Sequence, residues 1–246
     1  MTDLPTLLVV AHGTRDLAGV ATVEALPARI RALRPDLRVE LAYLDLVRPS
    51  LAEALAEHAA RDAPVVLVPL LLSAGYHVRV DIPAVIAAVP RVRARVAAAL
   101  GPDPLLATAL RDRLAEAGRP GDAGPVVLAA AGSSDPAANA DTVRTAGLLA
   151  GLLGAPVIPS YLCAASPTPA EAVAALRARG HDQVAVAGYL LAPGHFARRA
   201  AQAGARHTSA PLGTHGAVAE LVLRRYLAAL EDTRLPVARA SGAACR

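Results

Sequence analysis

The chain has 246 residues, 54% of them hydrophobic and 2% aromatic, with a formal net charge of +4 at pH 7. This length supplies ample apolar core for one large domain or two of moderate size. All 25 basic residues are arginine, which excludes a P-loop lysine and Schiff-base chemistry. One phenylalanine, five tyrosines and the lack of a basic cluster disfavour nucleic-acid binding, whereas the positive charge favours a small anionic partner.

Hydropathy and cysteine content bear on the compartment in which the protein works. Residues 145–170 carry no charge, but glycines and prolines interrupt them before the ~20 apolar residues that a membrane span needs. We predict a buried helix followed by a buried strand there. The N-terminus lacks the basic region and apolar core of a signal peptide, so we expect a cytoplasmic protein. Cys163 and Cys245 form neither a disulfide framework nor a metal-ligand spacing.

Short valine- and leucine-rich runs alternate with longer alanine-, leucine- and arginine-rich stretches, which predicts an α/β fold with parallel sheets. The predicted strands of the first half are 7–11, 38–43, 65–71 and 92–96, and its predicted helices are 20–34, 49–61, 81–89 and 104–117. A glycine- and proline-rich stretch, "GRPGDAGP", then marks a boundary at 118–125. The strand pattern resumes at 126–130.

The second half repeats the first at an offset of 118 residues. "YLDLVRPSLAEA" at 43–54 aligns without gaps with "YLCAASPTPAEA" at 161–172, and "LLSAGYH" at 71–77 aligns with "YLLAPGH" at 189–195. We therefore predict two tandem βα repeats, each a parallel-sheet half of flavodoxin- or Rossmann-like type. The predicted boundaries are 5–118 for the first half, 119–125 for a linker, 126–232 for the diverged second half and 233–246 for a disordered tail.

Two histidines and one aspartate follow predicted strands of the first half. His12 follows the first strand, Asp45 the second and His77 the third, so all three are expected at the carboxyl edge of one sheet. Imidazoles and a carboxylate in such a place suit a divalent transition metal, or metal delivery combined with proton removal. Gly13 and Gly75 beside them allow a flat ligand to approach the backbone.

Each of these residues also has a structural interpretation. A single histidine after a strand is more often a loop residue that the backbone satisfies, and Asp45 is equally suited to capping the turn before Pro49. Four of the five other histidines are assigned structural positions: His58 and His181 on a helix surface or turn, His207 in an edge strand, and His215 at a helix start.

"LLVVAHGTRD", "AYLDLVRPSLAEAL" and "VVLVPLLLSAGYHVRVDIP", in this order and spacing, resemble the CbiX-type sirohydrochlorin chelatases, the class II chelatases, in their long two-half form. The resemblance implies insertion of Fe²⁺ or Co²⁺ into sirohydrochlorin for siroheme or cobalamin, with no organic cofactor. It identifies His12 and His77 as the metal-binding and catalytic pair. The resemblance also implies a catalytic role for Asp45, which would either form a hydrogen bond that orients a histidine or relay protons. Asp45 stands where the family often carries glutamate, so its reach differs by one methylene.

The second half departs further from the family pattern. Ala131 replaces the equivalent of His12 and Cys163 that of Asp45, while His195 alone remains at the place of His77. The resemblance therefore implies one active site on the N-terminal half, with His195 facing the cleft in a secondary role. Arg15 and Arg79 follow His12 and His77 closely and are candidates for binding the carboxylates of the macrocycle, although solvated loop arginines are an equally good interpretation.

Other functions are compatible with parts of this pattern. A tetrapyrrole or metal carrier would use the same cleft without turnover, and a degenerate homologue would not keep both His12 and His77. A nucleotide-binding enzyme is disfavoured, because no G-x-G-x-x-G follows the first strand. The sequence leaves open which metal is used and whether the protein is a monomer or a homodimer.

Overall fold

The computed structural model describes residues 4–121 and 124–232, and the predicted tail lies outside them, as does part of the predicted linker. The first half contains β1 (Thr6–Ala11), α1 (Leu17–Leu33), β2 (Val39–Tyr43), α2 (Leu51–Ala60), β3 (Val65–Pro69), a π-helical turn (His77–Asp81), α3 (Ile82–Ala88), β4 (Ala94–Val96) and α4 (Pro104–Glu116). The second half contains β5 (Val126–Ala130), α5 (Pro136–Leu153), β6 (Val157–Tyr161), α6 (Pro169–Ala178), β7 (Ala185–Tyr189), α7 (His195–Ala201), β8 (His207–Thr208) and α8 (Gly216–Glu231).

Each half forms a four-stranded sheet in which the hydrogen-bonded neighbours are parallel. The strand orders are β2-β1-β3-β4 and β6-β5-β7-β8, so the two halves share one topology. The central strands β1, β3, β5 and β7 are buried on both faces, which explains their near-continuous apolar sequences. The predicted α/β fold of two tandem parallel-sheet repeats is confirmed.

The helices form outer and inner layers. Helices α2 and α3 cover the outer face of the first sheet, and α6 and α7 that of the second. Helices α1, α4, α5 and α8 lie between the sheets, in one apolar core to which both halves contribute. The inward face of β1, with Leu7 and Val9, and the inward face of β5, with Val126 and Leu128, belong to this shared core.

The last helix of each half packs on the other half. Helix α4 contacts β7 and α5, whereas α8 contacts β3 and α1. Polar contacts support this exchange: the Tyr226 hydroxyl of α8 donates to Pro5 O at 2.6 Å, and Arg225 donates to Ala99 O at 2.8 Å. The domain boundaries stay a prediction, but the helix exchange joins the two halves through a common interior.

Several local predictions need correction. The predicted helix 81–89 is extended by the π-helical turn back to His77, because Val78 and Arg79 N–H groups already bond to Gly75 O. The predicted buried stretch 145–170 is partly exposed, since Leu152 of α5 is 46% exposed. Among the described residues, no helix is both long and apolar enough to cross a membrane.

The predicted surface position of His58 is wrong. On α2, Leu51, Leu55 and His58 share the buried face, and His58 is only 2% exposed. Its Nε2 lies 3.0 Å from a carboxylate oxygen of Glu40 on β2. The helical spacing of these three residues explains the burial, and the Glu40 partner makes it tolerable. The other three placements agree with the structure: His181 lies in an exposed loop, His207 in the edge strand β8 and His215 at the N-cap of α8.

Candidate active site

His12 directly follows β1, at the carboxyl edge of the first sheet. The loop that holds it is fixed against the next strand end, because Asp45 N–H donates to His12 O at 2.9 Å. Gly13 has a φ of 100°, and a Cβ there would lie 1.9 Å from Asp45 O. Only glycine fits this close approach, so the turn directly after His12 requires Gly13.

His77 reaches the same place from the end of β3. A seven-residue loop, 70–76, follows the strand, and His77 is the first residue of the π-helical turn. The ring centroids of His12 and His77 are 4.6 Å apart, with an angle of 60° between the ring planes. The His77 side chain is 41% exposed and that of His12 is also exposed, so both imidazoles are accessible to a ligand.

A carboxylate that sequence reasoning missed lies behind His77. Nδ1 of His77 is 2.6 Å from Oδ2 of Asp81, four residues later on the same turn. When a carboxylate accepts a hydrogen bond from Nδ1–H, Nε2 keeps its lone pair for a metal or a proton. The signal in the sequence was the spacing of His77 and Asp81, which places both side chains on one face of a helical turn.

Asp45 does not contact either imidazole. Its side chain is exposed, and Oδ1 accepts a hydrogen bond from the N–H of Leu46 at 2.7 Å. The carboxylate-to-histidine hydrogen bond that the sequence suggested for Asp45 is made by Asp81 instead. Asp45 is tied to the site only through its backbone bond to His12.

The two histidines border a cavity of about 450 Å³ between the two halves. From the first half it is lined by residues that include His12, Gly75, Tyr76 and His77, and from the second by residues that include Ala131, Gly132, Cys163 and Phe196. Gly13 borders a smaller cavity of about 130 Å³ on the other side of His12. His195 is exposed and is not among the lining residues of the large cavity, whereas its neighbour Phe196 is.

The two candidate arginines differ in their contacts. Arg15 is exposed, and within the described ranges its side chain has no hydrogen bond or ion pair. Arg79 instead donates to Ala74 O at 2.7 Å and to Oδ2 of Asp135 in the other half at 2.7 Å. In this structure, therefore, Arg79 bridges the two halves.

A second ion pair bridges the halves in the opposite direction. Arg198 of α7 lies 2.5 Å from Oδ2 of Asp16, the N-cap residue of α1, and this guanidinium lowers the pKa of the Asp16 carboxyl. Asp135, the partner of Arg79, is likewise the N-cap residue of α5. Each half thus supplies one arginine to the first helix of the other half.

Two accessible imidazoles at the wall of a cavity between the halves, with a carboxylate hydrogen-bonded to one of them, suit the binding of a metal ion next to a ligand in the cavity. The sequence model of the CbiX family matches residues 6–117 and 125–229. The chain belongs to the CbiX family, and the resemblance predicted from its motifs is confirmed.

Individual relatives agree with this assignment. The chain is 32% identical over 198 residues to the sirohydrochlorin ferrochelatase of Priestia megaterium, covering 76% of this chain and 73% of the relative. It is 30% identical over 200 residues to the sirohydrochlorin ferrochelatase of Bacillus subtilis, covering 76% and 74%. The solved structure of SirB from Bacillus subtilis with Fe³⁺ superimposes with a TM-score of 0.78 at 25% identity, covering 94% of this chain and 97% of that chain.

Proposed function

We propose that this chelatase inserts a divalent metal ion, Fe²⁺ or Co²⁺, into sirohydrochlorin, in the synthesis of siroheme or cobalamin. The observation that carries the proposal is the pair of accessible imidazoles, 4.6 Å apart, at the wall of the cavity between the halves. The relatives named above act as sirohydrochlorin ferrochelatases, which supports the same macrocycle as substrate here.

Metal insertion makes two demands on the protein. The metal must exchange its ligands for pyrrole nitrogens, and two pyrrole N–H protons must leave. Neutral imidazole does both, because its nitrogen lone pair can bind a metal ion or accept a proton. We assign His12 and His77 to metal delivery and proton acceptance, and Asp81 to holding His77 with Nε2 available. We keep Asp45 as a proton relay to solvent, supported by its exposed carboxylate beside the His12 loop.

The macrocycle carries carboxylates at its rim. Arg15, which is exposed, is proposed to bind one of them, and Arg79 would do so by exchanging its partner Asp135. Gly75 is proposed to let the ring approach the backbone. The secondary role suggested for His195 has no support from the cavity lining. The cytoplasmic location and the monomeric or homodimeric state stay predictions.

The test is anaerobic insertion of Fe²⁺ and Co²⁺ into sirohydrochlorin, followed by absorbance at substoichiometric protein. We expect many turnovers for the wild type and a loss of at least about 100-fold for His12→Ala and for His77→Ala. His181→Ala is the matched control, because His181 lies in an exposed loop at the end of α6.

The alternative, a carrier of tetrapyrrole or metal, predicts a different result. A carrier would bind the macrocycle in a stoichiometric amount and stop, with no turnover beyond the protein present. If the two histidine variants insert metal as fast as His181→Ala, the assignment of the histidines is wrong.

A further inference from the structure

The loop 70–76, which leads directly into His77, is held by side chains of the other half. Ala74 N–H donates to Oδ2 of Asp141 on α5 at 3.2 Å. Leu72 O accepts a hydrogen bond from the Tyr189 hydroxyl at the end of β7 at 2.9 Å. Both contacts are made to the backbone of the loop, so they fix the path of the chain independently of the loop's own side chains.

Asp141 is unusual in being a buried carboxylate. Its side chain is only 7% exposed and lies on the face of α5 that also buries Thr142 and Thr145. Oδ1 accepts a hydrogen bond from Arg144, an exposed residue one turn later. A carboxylate in such a position is costly unless its oxygens are hydrogen-bonded, and the second oxygen is satisfied by Ala74 N–H.

Tyr189 is the second buried side chain that contacts the loop. It is 3% exposed, and its hydroxyl accepts a hydrogen bond from Thr145 Oγ1 at 3.3 Å while donating to Leu72 O. Burial raises the pKa of Tyr189, so the hydroxyl remains a donor. A Cβ on Gly101 would lie 2.2 Å from the Tyr189 hydroxyl oxygen and 2.4 Å from Leu72 O, so a glycine is required beside this hydrogen bond.

We propose that Asp141 and Tyr189 are positioning residues for His77. The second half has lost the equivalents of His12 and Asp45, and on this proposal its remaining task includes holding the loop that carries the His77 imidazole. The inference rests on the proposed function and adds a role for the second half, which carries neither His12 nor His77. Its physical basis is that two imidazoles act on one metal only at a defined separation, and displacements of about 1 Å are costly to catalysis.

The test compares four variants of the full-length protein. Asp141→Ala removes the acceptor for Ala74 N–H, Asp141→Asn keeps an oxygen there, and Tyr189→Phe removes the donor to Leu72 O. Val143→Ala is the matched control, because Val143 lies on the same helix, is 52% exposed and takes no part in the hydrogen bonds to the loop. The readouts are kcat and KM for metal insertion, and the visible absorbance of Co²⁺ titrated into the protein without macrocycle.

For Asp141→Ala and Tyr189→Phe we expect kcat to fall about 10-fold, with KM for sirohydrochlorin little changed and the Co²⁺ absorbance weakened or shifted. Asp141→Asn is expected to retain most of kcat, and Val143→Ala all of it. The proposal is overturned if Asp141→Ala and Tyr189→Phe match the wild type, or if Val143→Ala is as impaired as Asp141→Ala. If the wild type inserts no metal, the proposed function is wrong, and the Co²⁺ titration alone still decides whether these residues position His77.

Discussion

Asp81 and Asp45 differ in the group to which each carboxylate is hydrogen-bonded. Both are exposed or half-exposed near the same sheet edge, but only Asp81 contacts a site imidazole. Hydrogen-bonded carboxylates behind a metal-binding histidine fix its ring orientation and its tautomer. The structure therefore ranks Asp81 above Asp45 as the partner that orients a histidine.

Replacement of each aspartate by alanine tests this ranking. We expect Asp81→Ala to lower the rate of metal insertion by about 10- to 100-fold, because the His77 ring loses its fixed orientation, and Asp45→Ala to have a smaller effect. Steady-state insertion assays at saturating sirohydrochlorin measure both. A larger loss for Asp45→Ala would contradict the ranking and make Asp45 the principal carboxylate of the site.

The contact between buried His58 and half-buried Glu40 predicts a pH dependence of stability. Burial opposes ionisation of Glu40, but hydrogen bonds from His58 and Arg38 outweigh it, and the pKa of Glu40 is lower than its ordinary value of 4.5. A group whose pKa is lowered by folding stabilises the protein above its unfolded pKa, and this contribution is lost as the pH falls through the folded value.

Glu40→Gln tests this dependence. We expect the free energy of unfolding of the wild type to exceed that of the variant at pH 7, with the difference shrinking as the pH falls below about 4.5. Urea unfolding at several pH values gives both quantities, and Glu57→Gln, on the exposed side of α2, is the matched control. An equal difference at pH 3 and pH 7 would be inconsistent with the lowered pKa.

At the scale of elements, the turn after β1 depends on one glycine. Gly13→Ala would force a side chain into a φ of 100° and against Asp45 O. We expect this substitution to destabilise the fold by more than about 1 kcal/mol and to displace His12, so that activity also falls. Thermal or urea unfolding measures the first effect and metal insertion the second.

Gly147→Ala is the matched control for that substitution. Gly147 lies inside α5, where an added Cβ meets nothing within 4 Å. Alanine is the better helix former by about 0.5–1 kcal/mol, so this variant should be slightly more stable than the wild type. If both glycine variants were destabilised equally, the strain at Gly13 would not be the cause.

At the scale of the whole molecule, the exchange of α4 and α8 predicts how a fragment behaves. A fragment of residues 1–121 lacks α8, which covers β3 and α1 in the full chain. Its own α4 is the equivalent helix and packs on the other half. We expect the fragment to form a homodimer in which each α4 packs on its partner's β3, because two such fragments reproduce the arrangement of the full chain.

Sedimentation or light scattering of the fragment gives the answer directly. A dimer with the helix content of the first half supports the exchange. A stable folded monomer would show that α4 packs on its own sheet when the second half is absent.

The sequence predicts the shared position of His12 and His77 and the presence of two similar sheets. Strands β1 and β3 alternate with helices in a parallel sheet, so the residues that follow these strands appear at one edge of the sheet. The repeat at an offset of 118 residues implies the two similar sheets. The partner of His77 was missed because a helix start at Asp81 was predicted, which left both residues off a common turn.

The contacts between the halves could not be predicted from the sequence. An arginine two residues after a histidine gives no indication that it pairs with Asp135, which lies 56 positions later. The helix exchange is hidden for a related reason: α4 and α8 both bury apolar residues, and their sequences do not indicate which sheet each helix covers. His58 is a simpler failure, since its spacing from Leu51 and Leu55 already indicated the buried face.

The helix exchange also has a consequence for how the protein is made. The inner face of the first sheet, including Val66 and Val68, is covered in part by α8, which ends at Glu231. A ribosome adding roughly 5–20 residues per second needs on the order of ten seconds to synthesise the second half. Throughout that interval the nascent first half lacks this cover, so its folding into the arrangement of the full chain waits for α8.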